Sequence, residues 1–195
     1  MNDGQQLGRA LAWERVGSRY GDDNLHLFET RFDQMRHPIS GQVFERLVLE
    51  SVDWVNCVAL DADGRHVMVR QFRFGAGGIT LETPGGMVDD GEDSRTAISR
   101  ELTEETGYGG GEWHYLGAVQ PNPAFHDHLC HHWLATGVTR VGAPEPGAGE
   151  QIGVELLTDA EVLAAARSGE IRHALALSVI GRVLDLWGPR PYNGS

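Results

Sequence analysis

The chain has 195 residues, 41% hydrophobic and 23% charged, which fits one globular domain with room for an added subdomain and excludes a disordered or fibrous protein. A formal net charge of −12 argues against bulk binding to nucleic acid or to an anionic membrane. All sixteen basic residues are arginine, so a Schiff-base lysine, a Walker A loop and a lysine general base are excluded, and any phosphate contact must use arginine, backbone or metal. Cys57 and Cys130 are too far apart for a CxxC pair and read as buried free thiols. No leader-like apolar run follows basic residues at the N-terminus, and no apolar stretch reaches membrane-spanning length, so the expected location is cytoplasmic.

Residues 25–35 and 43–49 carry aromatic and aliphatic side chains at near-alternate positions about a turn at 38–41. That pattern predicts a β-rich N-terminal subdomain over residues 1–50, ahead of a main domain at 51–188 and a flexible tail at 189–195. Residues 54–60 and 66–72 flank Asp61-Ala62-Asp63-Gly64, a strong hairpin signal. Residues 94–106 combine helix formers, no proline and a stop at Gly107, which predicts a helix. Further strands are read at 113–119, 126–135 and 151–157. Thr158 and Glu161 have capping-box spacing and open a helix that stops near Gly169. A second helix is read over 174–187, where Leu177, Ile180, Val183, Leu184 and Trp187 recur at helical spacing before Gly188-Pro189. The fold class is α/β with a mixed sheet.

The helix at 94–106 carries the chemistry. Ile98 and Leu102 define its apolar stripe; Glu105 falls between them in angle, and Glu101 lies about 60° to one side. With Glu104 next to them, three carboxylates crowd one turn, and like charges near 4 Å repel by about 4 kcal/mol at an effective dielectric near 20. Something cationic belongs among them. Upstream, Pro84-Gly85-Gly86 reads as a tight loop whose backbone can approach a ligand, and Glu92 is placed to reach back to Arg100 and brace the loop against the helix. Hard oxygen ligands of this kind select Mg²⁺, with Mn²⁺ as substitute, rather than zinc.

The segment from Gly86 to Tyr108 resembles the box of the Nudix hydrolase family. Gly86, Glu92, Arg100, Glu101, Leu102, Glu104, Glu105, Gly107 and Tyr108 fill every specified place. The resemblance extends more weakly over about residues 53–187 and is loose before residue 50. It implies an α/β/α sandwich and metal-dependent hydrolysis of a nucleoside diphosphate linked to another group. Glu101 and Glu105 are expected as metal ligands. The family's matching positions add Glu104 and the Gly85 carbonyl, and leave Gly86, Glu92, Arg100 and Gly107 as structural braces. A general base in such enzymes often comes from a loop outside the box; Glu150, after the Gly/Pro loop at 142–149, is the choice, with Glu145 as the other candidate.

Arg70-Gln71-Phe72-Arg73, Glu82-Thr83-Pro84-Gly85-Gly86 and Pro123, sixteen residues beyond Gly107, look like the ADP-ribose and nucleoside-diphosphate-sugar pyrophosphatase group. This points to ADP-ribose cleaved to AMP and ribose 5-phosphate. Arg73 is read as a fork for a substrate phosphate and Glu82 as a partner for a ribose hydroxyl or a water. The resemblance also implies a homodimer built through the N-terminal β element; Trp13 and Phe28 are candidates to stack on a base, with an ordinary core or dimer-interface role the preferred reading. Residues 120–125 partly resemble the NADH pyrophosphatases, the runner-up substrate class, although two separated cysteines cannot form the zinc ribbon those enzymes carry. Strand alternation would send His126, His128, Cys130 and His132 to one face, a pattern compatible with a transition metal, but strand-face or pocket-lining roles are the preferred reading. A non-catalytic nucleotide-sugar sensor is the competing class, weighed against by the intact acidic constellation. RNA 5′-end processing would need a basic path that composition does not offer.

Overall fold

The computed structural model describes residues 27–147 and 149–188. Trp13, the start of the first expected strand and the tail from Pro189 lie outside the described residues. Two strands, β1 (Glu29–Arg36) and β2 (Val43–Glu50), pair antiparallel as a separate two-stranded sheet. All other strands join one eight-stranded mixed sheet. Its path runs from β10 (Ile152–Leu157) through β4 (His66–Arg73), β3 (Trp54–Asp61) and β9 (Cys130–Arg140) to β7 (Tyr108–Gly109). Beside that path, β5 (Gly78–Glu82) pairs with β4, β6 (Gly85–Met87) with β3 and β8 (Glu112–Val119) with β9. The β3–β9 pairing is parallel and the others are antiparallel.

The period-two pattern of β3 and β4 builds both faces of this sheet. Val55, Cys57, Ala59 and Val67 pack with Ala97, Ile98 and Leu102 of α1 (Ser94–Thr106). On the opposite face, Val58 and Met68 pack with Val162 and Ala166 of α2 (Asp159–Ser168) and with Val179 and Ile180 of α3 (Ala174–Ile180). A helix layer on each side of a mixed sheet is the expected α/β/α sandwich. Among the described residues no helix is long and apolar enough to cross a membrane.

Helix α1 begins and ends where local chemistry dictates. The Asp93 side chain accepts the backbone N–H groups of Arg95 and Thr96, and Gly107 closes the helix at φ 72°, its N–H bonded to Thr103 O. A side chain at Gly107 is doubly barred, since a Cβ there would lie 2.5 Å from the Gly142 carbonyl oxygen. Helix α2 carries both hydrogen bonds of the Thr158–Glu161 capping box and stops at Gly169.

Three expected boundaries are corrected. Residues 84–86 are not a free loop, because Gly85–Met87 is extended and pairs with Trp54, Val55 and Asn56. The strand read at 126–135 starts only at Cys130: Asn122 O turns the chain by accepting from His126 N, and Asp53 Oδ1 takes the Leu129 N–H at 2.8 Å. The last helix ends at Ile180. Gly181 follows it, and the chain tightens through i→i−3 bonds from Arg182 N to Val179 O and from Val183 N to Ile180 O, leaving Trp187 exposed and Leu186 buried.

Candidate active site

A cavity of about 500 Å³ opens where β3, β5, β6, α1 and the start of α3 meet, and Glu101, Glu105 and Glu150 form its acidic wall. Helical periodicity sets Glu105 into the core stripe, and it is only 4% exposed. Its Oε2 accepts the Gly85 N–H at 3.0 Å. Burial, reinforced by the charges of Glu101 and Glu150 and opposed by that hydrogen bond and by Arg73, pushes its carboxyl up to about 8. Glu101 is also raised, by burial first, while Arg100 opposes. The Glu101 carboxylate lies directly against Gly86, where a Cβ would sit 2.2 Å from its Oε1. Gly86 is therefore required by close approach, not by an unusual backbone angle.

The cation expected among the glutamates is, within the chain itself, Arg100. Its Nε and Nη2 bond Glu92 Oε1 and Oε2 at 3.2 and 2.9 Å, Nη2 also reaches Met87 O, and Nη1 reaches Glu101 at 2.9 Å and Glu104 at 3.2 Å. Glu92 and its neighbours hold the guanidinium well above its ordinary range. The brace between loop and helix is thus present, and it extends to two of the three helix carboxylates. Among the described residues no three acidic, histidine or cysteine side chains already converge as a metal cage. The fit to a divalent cation rests on other features. A hard-oxygen donor set is present, Glu105 is a buried carboxylate met by one backbone N–H, and the glycine cradle brings Glu101 against β6. Glu104 is the outermost of the three, with 45% of its side chain exposed.

Glu150 lines the same cavity. Its Oε2 accepts the Gly147 N–H at 3.1 Å, and its own N–H returns to Gly147 O, so the carboxylate closes its own turn. Upstream, the Gly142 N–H bonds Gly107 O and the Glu145 N–H bonds Glu104 O, which pins the loop to the end of α1. Arg73 and Glu82 both line the cavity, and they hold each other: Arg73 Nε and Nη2 fork onto Glu82 at 2.9 and 2.7 Å. Thr80 donates to the same carboxylate. Burial works against the charge of Glu82, yet the Arg73 fork outweighs it and holds the carboxyl below the usual range.

The four ring-and-thiol residues do not share a strand face, since His126 and His128 precede β9. They stack on each other, with Phe28 against His126 and Trp54 against His128. His132 places Nδ1 on Asn56 Oδ1 at 2.6 Å and Nε2 on Ser178 Oγ at 2.9 Å, and burial pushes its imidazole down to about 4. His131 bridges Asp53 and the Tyr115 hydroxyl.

Sequence reasoning passed over Asn56 and His173, both on the cavity wall. The signal for Asn56 was an amide inside an apolar strand; it ties β3 to α3 by donating to Leu175 O at 2.9 Å. His173 caps α3, Nδ1 accepting the Ala176 N–H at 3.4 Å. Histidine is an uncommon cap, and nothing local announces it.

Residues 52–177 match the NUDIX domain. The chain is 37% identical over 127 residues to an ADP-ribose pyrophosphatase of Mycobacterium tuberculosis, covering 63% of this chain and 61% of that protein. It is 31% identical over 96 residues to an ADP-ribose pyrophosphatase of Bacillus subtilis, covering 49% and 52%. Against an ADP-sugar pyrophosphatase of Mus musculus it is 36% identical over 111 residues, covering 51% and 50%. The chain thus spans between half and two thirds of the length of these curated relatives. A crystal structure of an ADP compounds hydrolase shares the fold at TM-score 0.71 and 18% identity, covering 84% of this chain and 88% of that one. The filled box, the sandwich that presents it and the match across most of the main domain lead to one conclusion: this chain belongs to the NUDIX domain family.

Proposed function

We propose that this protein hydrolyses the pyrophosphate bond of a nucleoside diphosphate linked to another moiety, with ADP-ribose cleaved to AMP and ribose 5-phosphate. The observation that carries the reading is Glu105, a carboxylate buried beside Glu101 on the wall of a cavity large enough for a nucleotide. The names of the relatives support the choice of ADP-ribose.

Glu101 and Glu105, joined by Glu104 and the Gly85 carbonyl, are the residues to hold Mg²⁺ or Mn²⁺. Such a cation supplies positive charge against the diphosphate and makes attacking water more acidic. Glu150 is assigned as general base: it takes the proton of the water whose oxygen forms the new bond to phosphorus while the bridging P–O bond breaks. Arg73 is assigned to a substrate phosphate; without substrate its fork rests on Glu82. Arg100 and Glu92 keep α1 and β6 in register.

A homodimer is part of the proposal. Phe32 and Leu47 are register partners on the β1–β2 hairpin and both are exposed, an apolar surface that a second copy would cover. Incubation with Mg²⁺ and a panel of ADP-ribose, nucleotide sugars, NADH, diadenosine polyphosphates and nucleoside triphosphates tests the proposal. ADP-ribose turned over fastest, to AMP and ribose 5-phosphate, is the expected result. Tight binding without turnover would favour a sensor, and preference for NADH the runner-up substrate.

A further inference from the structure

Arg73 is the one arginine on the cavity wall among the described residues, and the chain has no lysine, so Arg73 is the side-chain cation available to a bound diphosphate. Yet its Nε and Nη2 are both committed to Glu82, which is 1% exposed. Turning that fork toward a phosphate strips a buried carboxylate of its charge partner, a change that needs a substitute. The geometry supplies one. His173 Nδ1 lies 3.8 Å from Glu82 Oε2 and 3.4 Å from the Ala176 N–H that it caps. One nitrogen cannot serve both: bare, Nδ1 accepts from Ala176; carrying a proton, it donates to Glu82, and only the imidazolium, protonated on both nitrogens, replaces the charge of Arg73.

We infer that His173 is a positioning residue that replaces Arg73 as the partner of Glu82 when Arg73 turns to a substrate phosphate, taking up one proton on Nδ1 as it does so. This rests on the proposed substrate class. The charged groups around His173 are Glu82 on β5 and Arg73 on β4, with Glu101, Glu105 and Glu150 elsewhere on the cavity wall and Arg172 beside it in sequence. Burial keeps the free imidazole neutral, Arg73 adds repulsion, and Glu82 opposes both. Departure of Arg73 removes the repulsion and leaves Glu82 with the Thr80 hydroxyl but no cation, and both changes favour the proton. Helix α3 can yield its cap, since Asn56 still holds Leu175 O.

The test is calorimetric titration of the full chain at pH 7 and saturating Mg²⁺ with the non-hydrolysable α,β-methylene analogue of ADP-ribose, repeated in buffers of different ionisation enthalpy. Wild type is expected to take up roughly half a proton or more per analogue bound. His173→Asn, which keeps a side chain able to cap α3, is expected to bind with uptake near zero. Imidazole ¹⁵N shifts of the unmutated protein, with Nδ1 bare before binding and both ring nitrogens protonated after it, give the same answer if the variant does not fold. Equal uptake in variant and wild type, no uptake by wild type, or an Nδ1 that stays bare overturns the inference. Absence of binding by wild type overturns the substrate class itself, and this inference with it.

Discussion

The glutamates of α1 and the histidines around β9 are both ligand-type residues packed against the core, and the fold treats them differently. His131 and His132 have both ring nitrogens engaged by groups of the protein, Asp53 with Tyr115 and Asn56 with Ser178. His126 stacks on Phe28 and His128 packs tilted against Trp54. His126 Nδ1 and both ring nitrogens of His128 are buried without a hydrogen-bond partner among the described residues, and burial holds His128 below its ordinary proton affinity. Even so, a neutral imidazole costs less to bury than a charged carboxylate. Glu105 has a single backbone N–H, two further carboxylates nearby and a proton affinity pushed up to about 8. The difference teaches that residue type does not mark a site. What marks it is a buried charge the protein leaves short of partners.

That contrast breaks if glutamate substitutions on α1 are tolerated. Glu101→Gln and Glu105→Gln are each expected to lower kcat for Mg²⁺-dependent ADP-ribose hydrolysis by about 10³, near the loss for removing a principal stabiliser of developing charge, with an unchanged circular dichroism spectrum. Arg100→Met leaves Glu92 and Glu101 without their cation and, because the network is part-exposed, is expected to cost about 1–2 kcal/mol in urea unfolding, with part of the loss recovered by added Mg²⁺. Glu150→Gln is expected to lower kcat by about 10² and to remove the acidic limb of the pH profile; an unchanged limb would take Glu150 out of the mechanism. The histidine side is sharpened by acid. The unfolded chain binds the His132 proton near pH 6.5, while the folded chain resists it down to about 4. Stability from this residue is therefore full above pH 6.5 and falls with pH, by about 2 kcal/mol at pH 5. His132→Gln, though less stable overall, should flatten that part of the curve measured by urea unfolding.

Features set by neighbours in sequence were legible. The limits of α1, the Thr158 box and the burial of Glu105 follow from periodicity and capping within a few residues, and the structure agrees with each. Features set by distant partners were not. Gly85–Met87 becomes a strand because β3, thirty residues earlier in about that register, offers it hydrogen bonds. The early start expected for β9 fails because Asp53 takes the Leu129 N–H from across the fold. At the site, the box glutamates announced themselves by their spacing, whereas Asn56 reaches Leu175 and His132, and His173 reaches Glu82, between chain segments far apart in sequence. The double role of Arg100 lies between: its reach to Glu92 was read from spacing, its grip on Glu101 and Glu104 was not.

The most direct test of the central claim is Mn²⁺ binding in the absence of substrate, followed by electron paramagnetic resonance on wild type and on Glu105→Gln. Wild type is expected to bind at least one ion, and the variant to bind it at least about tenfold more weakly, the loss that mutating even an outer-shell partner causes and so a floor for losing a ligand. Equal affinity in the two proteins would mean that the buried glutamate is not where the cation sits, and would contradict the account.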